Sequence, residues 1–201
     1  MIELGQTLKG SNMIKGILVF FALFELGLAH EVHYFDKAPL EIVKIGHPVL
    51  RKKAQNVELD RIGTTELEQF IDDMFLTMKK AGGVGLAAPQ VGVSQRLFVM
   101  GGGGIKPTAV INPQLTPLDQ FGMKNSAEGC LSIPGQRVRI KRYRRVHLDY
   151  FDREGEWISR QLKGFEAIVA QHEYDHLEGI LMIDYKNSEP NLIEQVPVPK
   201  M

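Results

Sequence analysis

Near its C-terminal end the sequence reads Gln171-His172-Glu173-Tyr174-Asp175-His176, which contains His-Glu-x-x-His. On a helix, His172 and His176 stand one turn apart on the same face. Two imidazoles so placed can grip one divalent ion, and Glu173 beside them can handle a proton. A catalytic metal usually takes three protein ligands and keeps a position for water, so a third donor is needed. Cys130, the only cysteine, lies in Glu128-Gly129-Cys130-Leu131-Ser132, a short glycine-flanked segment suited to presenting a ligand. A thiolate and two imidazoles leave a fourth position open. Asp175 and Glu178 are the rival third ligands, and a lone cysteine is also often inert core.

The elements that must position these groups can be read from patterning. Gly164 opens a helix in which Phe165, Ile168 and Val169 form an apolar stripe running into His172 and His176, and Gly179 ends it. The metal-binding face is therefore expected to be the buried face. A second helix is expected over Thr65 to Ala81, with Thr65 and Glu68 as capping box and Leu67, Phe70, Ile71, Met74, Phe75 and Met78 at helical spacing. Strands are expected at Ile42–Ile45, Arg96–Met100, Thr108–Asn112 and Ile180–Ile183. Partial alternation marks Gln136 to Tyr150, and Asp152 to Gly155 reads as a hairpin turn into a strand starting at Trp157. Gly82-Gly83-Val84-Gly85 reads as a flexible turn. The fold expected is α+β: short, mostly antiparallel strands around a central metal-binding helix, with a second helix packed outside.

Composition sets outer limits. The 201 residues, 44% hydrophobic and 24% charged, suffice for one domain with a real core. Lys+Arg and Asp+Glu are 24 each, so no bulk charge draws the chain to DNA or an acidic membrane. A single cysteine forbids an internal disulfide. Residues 1–39 read as an N-terminal extension: Lys15 precedes the apolar run Gly16 to Phe24, and small residues follow at Gly27-Leu28-Ala29. A secretory signal, an amphipathic or buried N-terminal helix, and an upstream extension that is translated little or not at all all fit it, and the run is short for a bilayer span. The catalytic unit is placed at residues 40–186, and residues 187–201 are expected to be a loosely ordered tail.

Three motifs together resemble one family. Gly83-Val-Gly-Leu-Ala-Ala-Pro-Gln90, Glu128-Gly-Cys-Leu-Ser132 and Gln171-His-Glu-Tyr-Asp-His176 resemble, in order, the three motifs of peptide deformylases. The resemblance implies a metal-dependent hydrolase that removes the formyl group from N-formylmethionine on new polypeptides and releases formate. It implies Cys130, His172 and His176 as ligands of one divalent ion, with Fe²⁺ as the usual cellular metal and Zn²⁺, Ni²⁺ or Co²⁺ able to take its place. Glu173 would be the general base, and the Gln90 amide and Leu131 N–H would bind the oxyanion. Val84, Gly85 and Gly129 match positions that bond the substrate backbone. Gly83, Phe165, Ile168 and Val169 are candidate walls for the methionine side chain, with Glu128 and Arg137 at the rim or paired with each other.

The basic run Arg137 to Arg145 reads as a solvated strand face, with docking on ribosomal RNA as a weaker option. The sequence beyond Tyr185 lacks the long C-terminal helix with which many bacterial deformylases dock on the ribosome, so only weak ribosome contact is expected. A monomeric, cytoplasmic enzyme is expected, with export as the alternative if the N-terminal segment acts as a signal. Two other readings fit the motif: a metallopeptidase with a carboxylate third ligand, and a protein that binds formylated peptides without turnover.

Overall fold

The computed structural model describes residues 39–187. The readings made on the N-terminal extension and on the tail beyond residue 187 lie outside them. Within the described residues, two α-helices and seven strands form an all-antiparallel α+β fold. Helix α1 is Thr65–Lys80 and α2 is Gly164–Leu177. The strands are β1 Gly85–Ala87, β2 Leu97–Gly102, β3 Ile105–Pro117, β4 Met123–Cys130, β5 Ile133–Tyr143, β6 Arg145–Phe151 and β7 Trp157–Lys163. Five of them form a sheet in the order β1-β2-β3-β6-β7, and β4 and β5 form a separate hairpin.

The large sheet is buried on both faces, as β2 illustrates. Side chains alternate across a strand. Leu97 and Val99 join Leu67, Ile71, Met74 and Met78 of α1 in one core. Phe98 and Met100 join Ala167, Val169, Ala170 and Leu177 of α2 in another. A third core seats the hairpin: Cys130, Ile133, Val138 and Ile140 pack with Val49, Leu50, Leu181 and Met182. Helix α2 is thus enclosed by the large sheet on one side and the hairpin on the other, with α1 on the far face of the sheet. The predicted arrangement of a central histidine-bearing helix and an outer helix is what forms.

Several local expectations fail, each for a physical reason. Ile42–Ile45 is not a strand. Its amides bond to a 3₁₀ turn and a loop instead, Val43 N–H to Gln90 C=O at 2.9 Å and Ile45 N–H to Ser132 C=O at 2.9 Å. Ile180–Ile183 is not a strand either, because a 3₁₀ turn takes over at Met182–Asn187. The α1 cap is Thr64, whose hydroxyl accepts the Leu67 N–H, rather than Thr65 with Glu68. Glu68 is drawn away to an ion pair with Arg153. Gln136 to Tyr150 divides into β5 and β6 at a corner around Arg144, and Gly85 lies in β1 rather than in a flexible turn. No described helix is long and apolar enough to cross a membrane.

Candidate metal centre and substrate pocket

Helix α2 offers His172 and His176 to the hairpin, where they meet Glu128 and Cys130, and Glu173 to Gly85 of β1. The two imidazole rings lie 5.2 Å apart, centre to centre, inclined at 75°. Cys130 ends β4, where the register with β5 slips between Gly129 and Cys130. That slip is the kind of irregularity that re-aims a side chain next to a site. It brings Cys130 Sγ to 3.3 Å from His176 Nε2. One ligand atom from each of Cys130, His172 and His176 falls within 4.8 Å of the others. Ligand bonds of about 2.0–2.3 Å would let one ion bridge the 3.3 Å sulfur–nitrogen gap. The donor set therefore fits a divalent metal of the Fe, Co, Ni or Zn type.

The rivals for third ligand are otherwise engaged. Glu178 pairs with Arg96 at 2.6 Å and Lys53 at 2.9 Å. Asp175 pairs with Arg142 at 2.6 Å.

His172 is oriented from behind. Its Nδ1 lies 2.9 Å from Glu128 Oε2, which leaves the other ring nitrogen for the sulfur side. Glu128 is held in turn by Arg142, whose Nε and Nη2 donate to its two oxygens at 2.9 Å each. Arg142 Nη1 also donates to Asp175 Oδ2 at 2.6 Å and to the Tyr185 hydroxyl, and the tyrosine O–H donates to Asp175 at 2.9 Å. This corrects two expectations. Glu128 is buried rather than at the rim, and its cation is Arg142 rather than Arg137.

It also corrects the reading of Arg137–Arg145 as a wholly solvated face, since Arg142 is only 3% exposed. Arg142 was missed as a functional residue, although the signal was present. Val138, Ile140 and Arg142 share one parity of a strand and so must point the same way.

The electrostatics of the site follow from this burial. Burial by itself would raise the Glu128 carboxyl, but hydrogen bonds from His172 and Arg142 hold it below its ordinary range. Burial would lower His172, yet the Cys130 sulfur and the Glu128 carboxylate bring it up to about 10. Burial pushes His176 well down, with the charges of His172 and Arg142 adding to it. Glu173 is buried, and that burial raises its carboxyl to about 7 against the opposing charge of His172. Its buried Oε2 has no hydrogen-bond partner among the described residues, and the side chain lines the cavity described below. Room for this carboxylate exists because residue 85 is glycine: a Cβ there would stand 2.2 Å from Glu173 Oε1.

Gln90 is fixed at both ends of its amide. The Ala87 N–H donates to its Oε1 at 2.9 Å, and its Nε2 donates to Ser132 Oγ at 3.3 Å and to Cys130 Sγ at 3.5 Å. The amine end therefore faces the metal cluster. Leu131 is adjacent, and its carbonyl accepts a hydrogen bond from Lys44 Nζ at 3.0 Å.

A cavity of about 420 Å³ opens onto these groups. Gly83, Val84, Gly85, Gln90, Glu128, Gly129, Cys130, Leu131, Arg137, Phe165, Ile168, Val169, His172 and Glu173 all line it. Every residue singled out for substrate binding is thus brought to one hollow. Gly82, Ser126, Ala127, Ile133, Gly135 and Gln136 line it as well and were not foreseen, Ser126 and Ala127 because β4 was not recognised as a strand.

This geometry has known relatives. The family model for polypeptide deformylase matches residues 39–191. A peptide deformylase of Fusobacterium nucleatum is 45% identical over 144 residues, covering 72% of this chain and 82% of that protein. The crystal structure of the peptide deformylase from Thermotoga maritima superposes with a TM-score of 0.69 at 44% identity, covering 74% of this chain and 98% of the other. A class I type b peptide deformylase from Acinetobacter baumannii, with Met-Ala-Ser bound, gives a TM-score of 0.70 at 31% identity over 74% of this chain and 98% of that one. With all three motifs converging on one cavity and the likeness running through the whole described fold, the chain belongs to the polypeptide deformylase family.

Proposed function

We propose that this cavity hydrolyses the formamide of N-formylmethionyl polypeptides, with Cys130, His172 and His176 holding the metal and Glu173 moving the proton. Membership of the family makes the chain a metal-dependent hydrolase that removes N-terminal formyl groups. The observation that carries the assignment of roles is the Cys130–His172–His176 cluster beside a cavity shared with Glu173, whose buried Oε2 has no hydrogen-bond partner among the described residues. Cys130, His172 and His176 would hold a divalent ion, which would supply Lewis-acid chemistry and ease deprotonation of the attacking water.

Glu173 accepts the proton of the attacking water as its oxygen bonds to the formyl carbon. The Gln90 Nε2–H and the Leu131 N–H donate to the oxygen that gains charge. An amide suits that position, since it donates without carrying a transferable proton. The C–N bond then breaks, Glu173 returns its proton to the amine, and formate leaves.

Val84, Gly85 and Gly129 bond the substrate main chain, which reads no sequence and so suits a broad range of polypeptides. Gly83, Phe165, Ile168 and Val169 wall the slot for the methionine side chain. Arg137 stands at the rim, while Glu128 orients His172. Fe²⁺ is the cellular ion on this reading, and Zn²⁺, Ni²⁺ or Co²⁺ fits the same donors. The protein acts as a cytoplasmic monomer on nascent chains, and mass spectrometry of the native N-terminus checks the compartment.

Formate release from formyl-Met-Ala-Ser, with the iron form kept anaerobic, tests the activity. Release by the wild type and its loss in Glu173→Gln are expected. No formate from any metal form would overturn the proposal, and cleavage of an internal peptide bond would favour a metallopeptidase.

A further inference from the structure

Gly101-Gly102-Gly103-Gly104 is the longest glycine run in the chain, and the catalytic reading leaves it without a task. It closes β2 and turns the chain into β3. Gly102 pairs with Ile105, so Gly103 and Gly104 form a two-residue hairpin turn. Their φ angles are 59° and 89°, the left-handed values that so tight a turn needs at both positions. Asparagine or aspartate at the first of them would meet that need with little strain. The turn alone therefore does not demand a missing side chain at residue 103.

The surroundings of residue 103 do. A Cβ on Gly103 would stand 3.0 Å from Phe165 Cε1 and 3.7 Å from Val84 Cγ1, whereas one on Gly102 or Gly104 would meet nothing within 4 Å. Phe165 and Val84 line the substrate cavity, and Gly103 does not. The turn thus touches the cavity wall from outside, through one glycine of the three. Phe165 is 48% exposed, so burial does little to hold its ring. In the first turn of α2 its side chain has two favoured χ1 wells, and the space that its neighbours occupy decides between them. The turn itself is tied to the wall: Gly85 pairs with Met100, and the Gly101 N–H donates to Val84 C=O at 3.0 Å.

We propose that Gly103 is a positioning residue for substrate specificity: its bare backbone seats the Phe165 ring, and the seated ring fits the slot to an unbranched side chain of methionine's length. The proposal rests on the deformylase reading, with Phe165 as a wall of the methionine slot, and adds a residue that touches no substrate. A methyl group at 103 obliges the ring to shift. Shifted inward, the ring crowds the methionine side chain. Shifted outward, it leaves part of that side chain without contact. Either movement weakens the preference for methionine over a small first residue.

The test compares kcat/KM for formyl-Met-Ala-Ser and formyl-Ala-Ala-Ser, read as formate release by the metal-loaded full chain. The ratio of the two does not depend on the fraction of active enzyme, so partial unfolding of a variant leaves it unaltered. In Gly103→Ala the ratio is expected to fall at least about fivefold, below what one misfitted methylene can cost in an apolar pocket. Gly104→Ala carries the same left-handed strain without the contact, and is expected to keep the wild-type ratio. In a Phe165→Ala background, Gly103→Ala is expected to change the ratio less than about twofold, because the ring that it displaces is gone.

A wild-type ratio in Gly103→Ala, an equal fall in Gly104→Ala, or a fall that persists in the Phe165→Ala background would each overturn the proposal. Equal kcat/KM for the two peptides in the wild type would overturn the methionine slot and the proposal with it. Absence of formate from both peptides would instead overturn the underlying activity.

Discussion

Gly85 and Glu173 share a space that admits only one of them with a side chain. A Cβ at position 85 would stand 2.2 Å from Glu173 Oε1 and 2.8 Å from its Cγ. Strand β1 pairs with β2 at Gly85 and Met100, so the backbone at residue 85 cannot easily retreat. Gly85→Ala should therefore displace the carboxylate rather than the strand. We expect kcat for formyl-Met-Ala-Ser to fall by about 10²-fold, as a misplacement near 1 Å can cost. Metal content should be retained. Steady-state kinetics beside elemental analysis checks both.

Replacing Cys130 separates the deformylase reading from a carboxylate-liganded peptidase. On the proposed ligand set Cys130 is one of three donors, and Glu178 and Asp175 are held by Arg96 and Arg142. Cys130→Ala should lose its metal to a mild chelator that leaves the wild type loaded. Metal-to-protein ratios after dialysis give the readout. Retention of a full equivalent by the variant would count against the ligand set.

Glu128 links His172, a proposed metal ligand, to a buried cation. Its neutralisation in Glu128→Gln turns one of the two accepting oxygens into a donor, so the side chain can no longer serve both the Arg142 fork and His172 Nδ1, and it leaves Arg142 short of a counter-charge. Metal affinity is expected to drop about 10–100-fold. Breaking a buried pair in this way also destabilises by about 3–5 kcal/mol. Competition with a chromogenic chelator and denaturant unfolding measure the two effects separately.

Ile71 of α1 is completely buried against the sheet face opposite the site. Ile71→Ala should cost about 2–5 kcal/mol of stability through the cavity it leaves. At temperatures where the protein stays folded, kcat should be close to that of the wild type, because no residue of α1 lines the pocket. Thermal melting and formate release at 20 °C on the same sample test this.

Much of the site was legible because its chemistry is local in sequence. His172, Glu173 and His176 follow from one helical repeat, and the stripe Phe165, Ile168 and Val169 marks the wall beside them. What could not be read depends on pairing at a distance. Strand β4 is Met-Lys-Asn-Ser-Ala-Glu-Gly-Cys, with no β-branched residue, and it is a strand only because β5 lies beside it. Ile42–Ile45 has the composition of a strand but meets loop carbonyls at Gln90 and Ser132. The burial of Arg142 depends on carboxylates from β4 and α2, 14 and 33 residues away in the chain.

The phenol of Tyr185 has a practical implication for anyone handling this protein. Through Asp175 and Arg142 it braces the support of His172 from a 3₁₀ turn near the end of the described chain. A truncation placed upstream of it should yield a protein that folds around its sheet yet binds metal poorly. A tag joined several residues downstream should leave the bracing untouched. The functional boundary is thus drawn by a hydrogen bond rather than by the last helix.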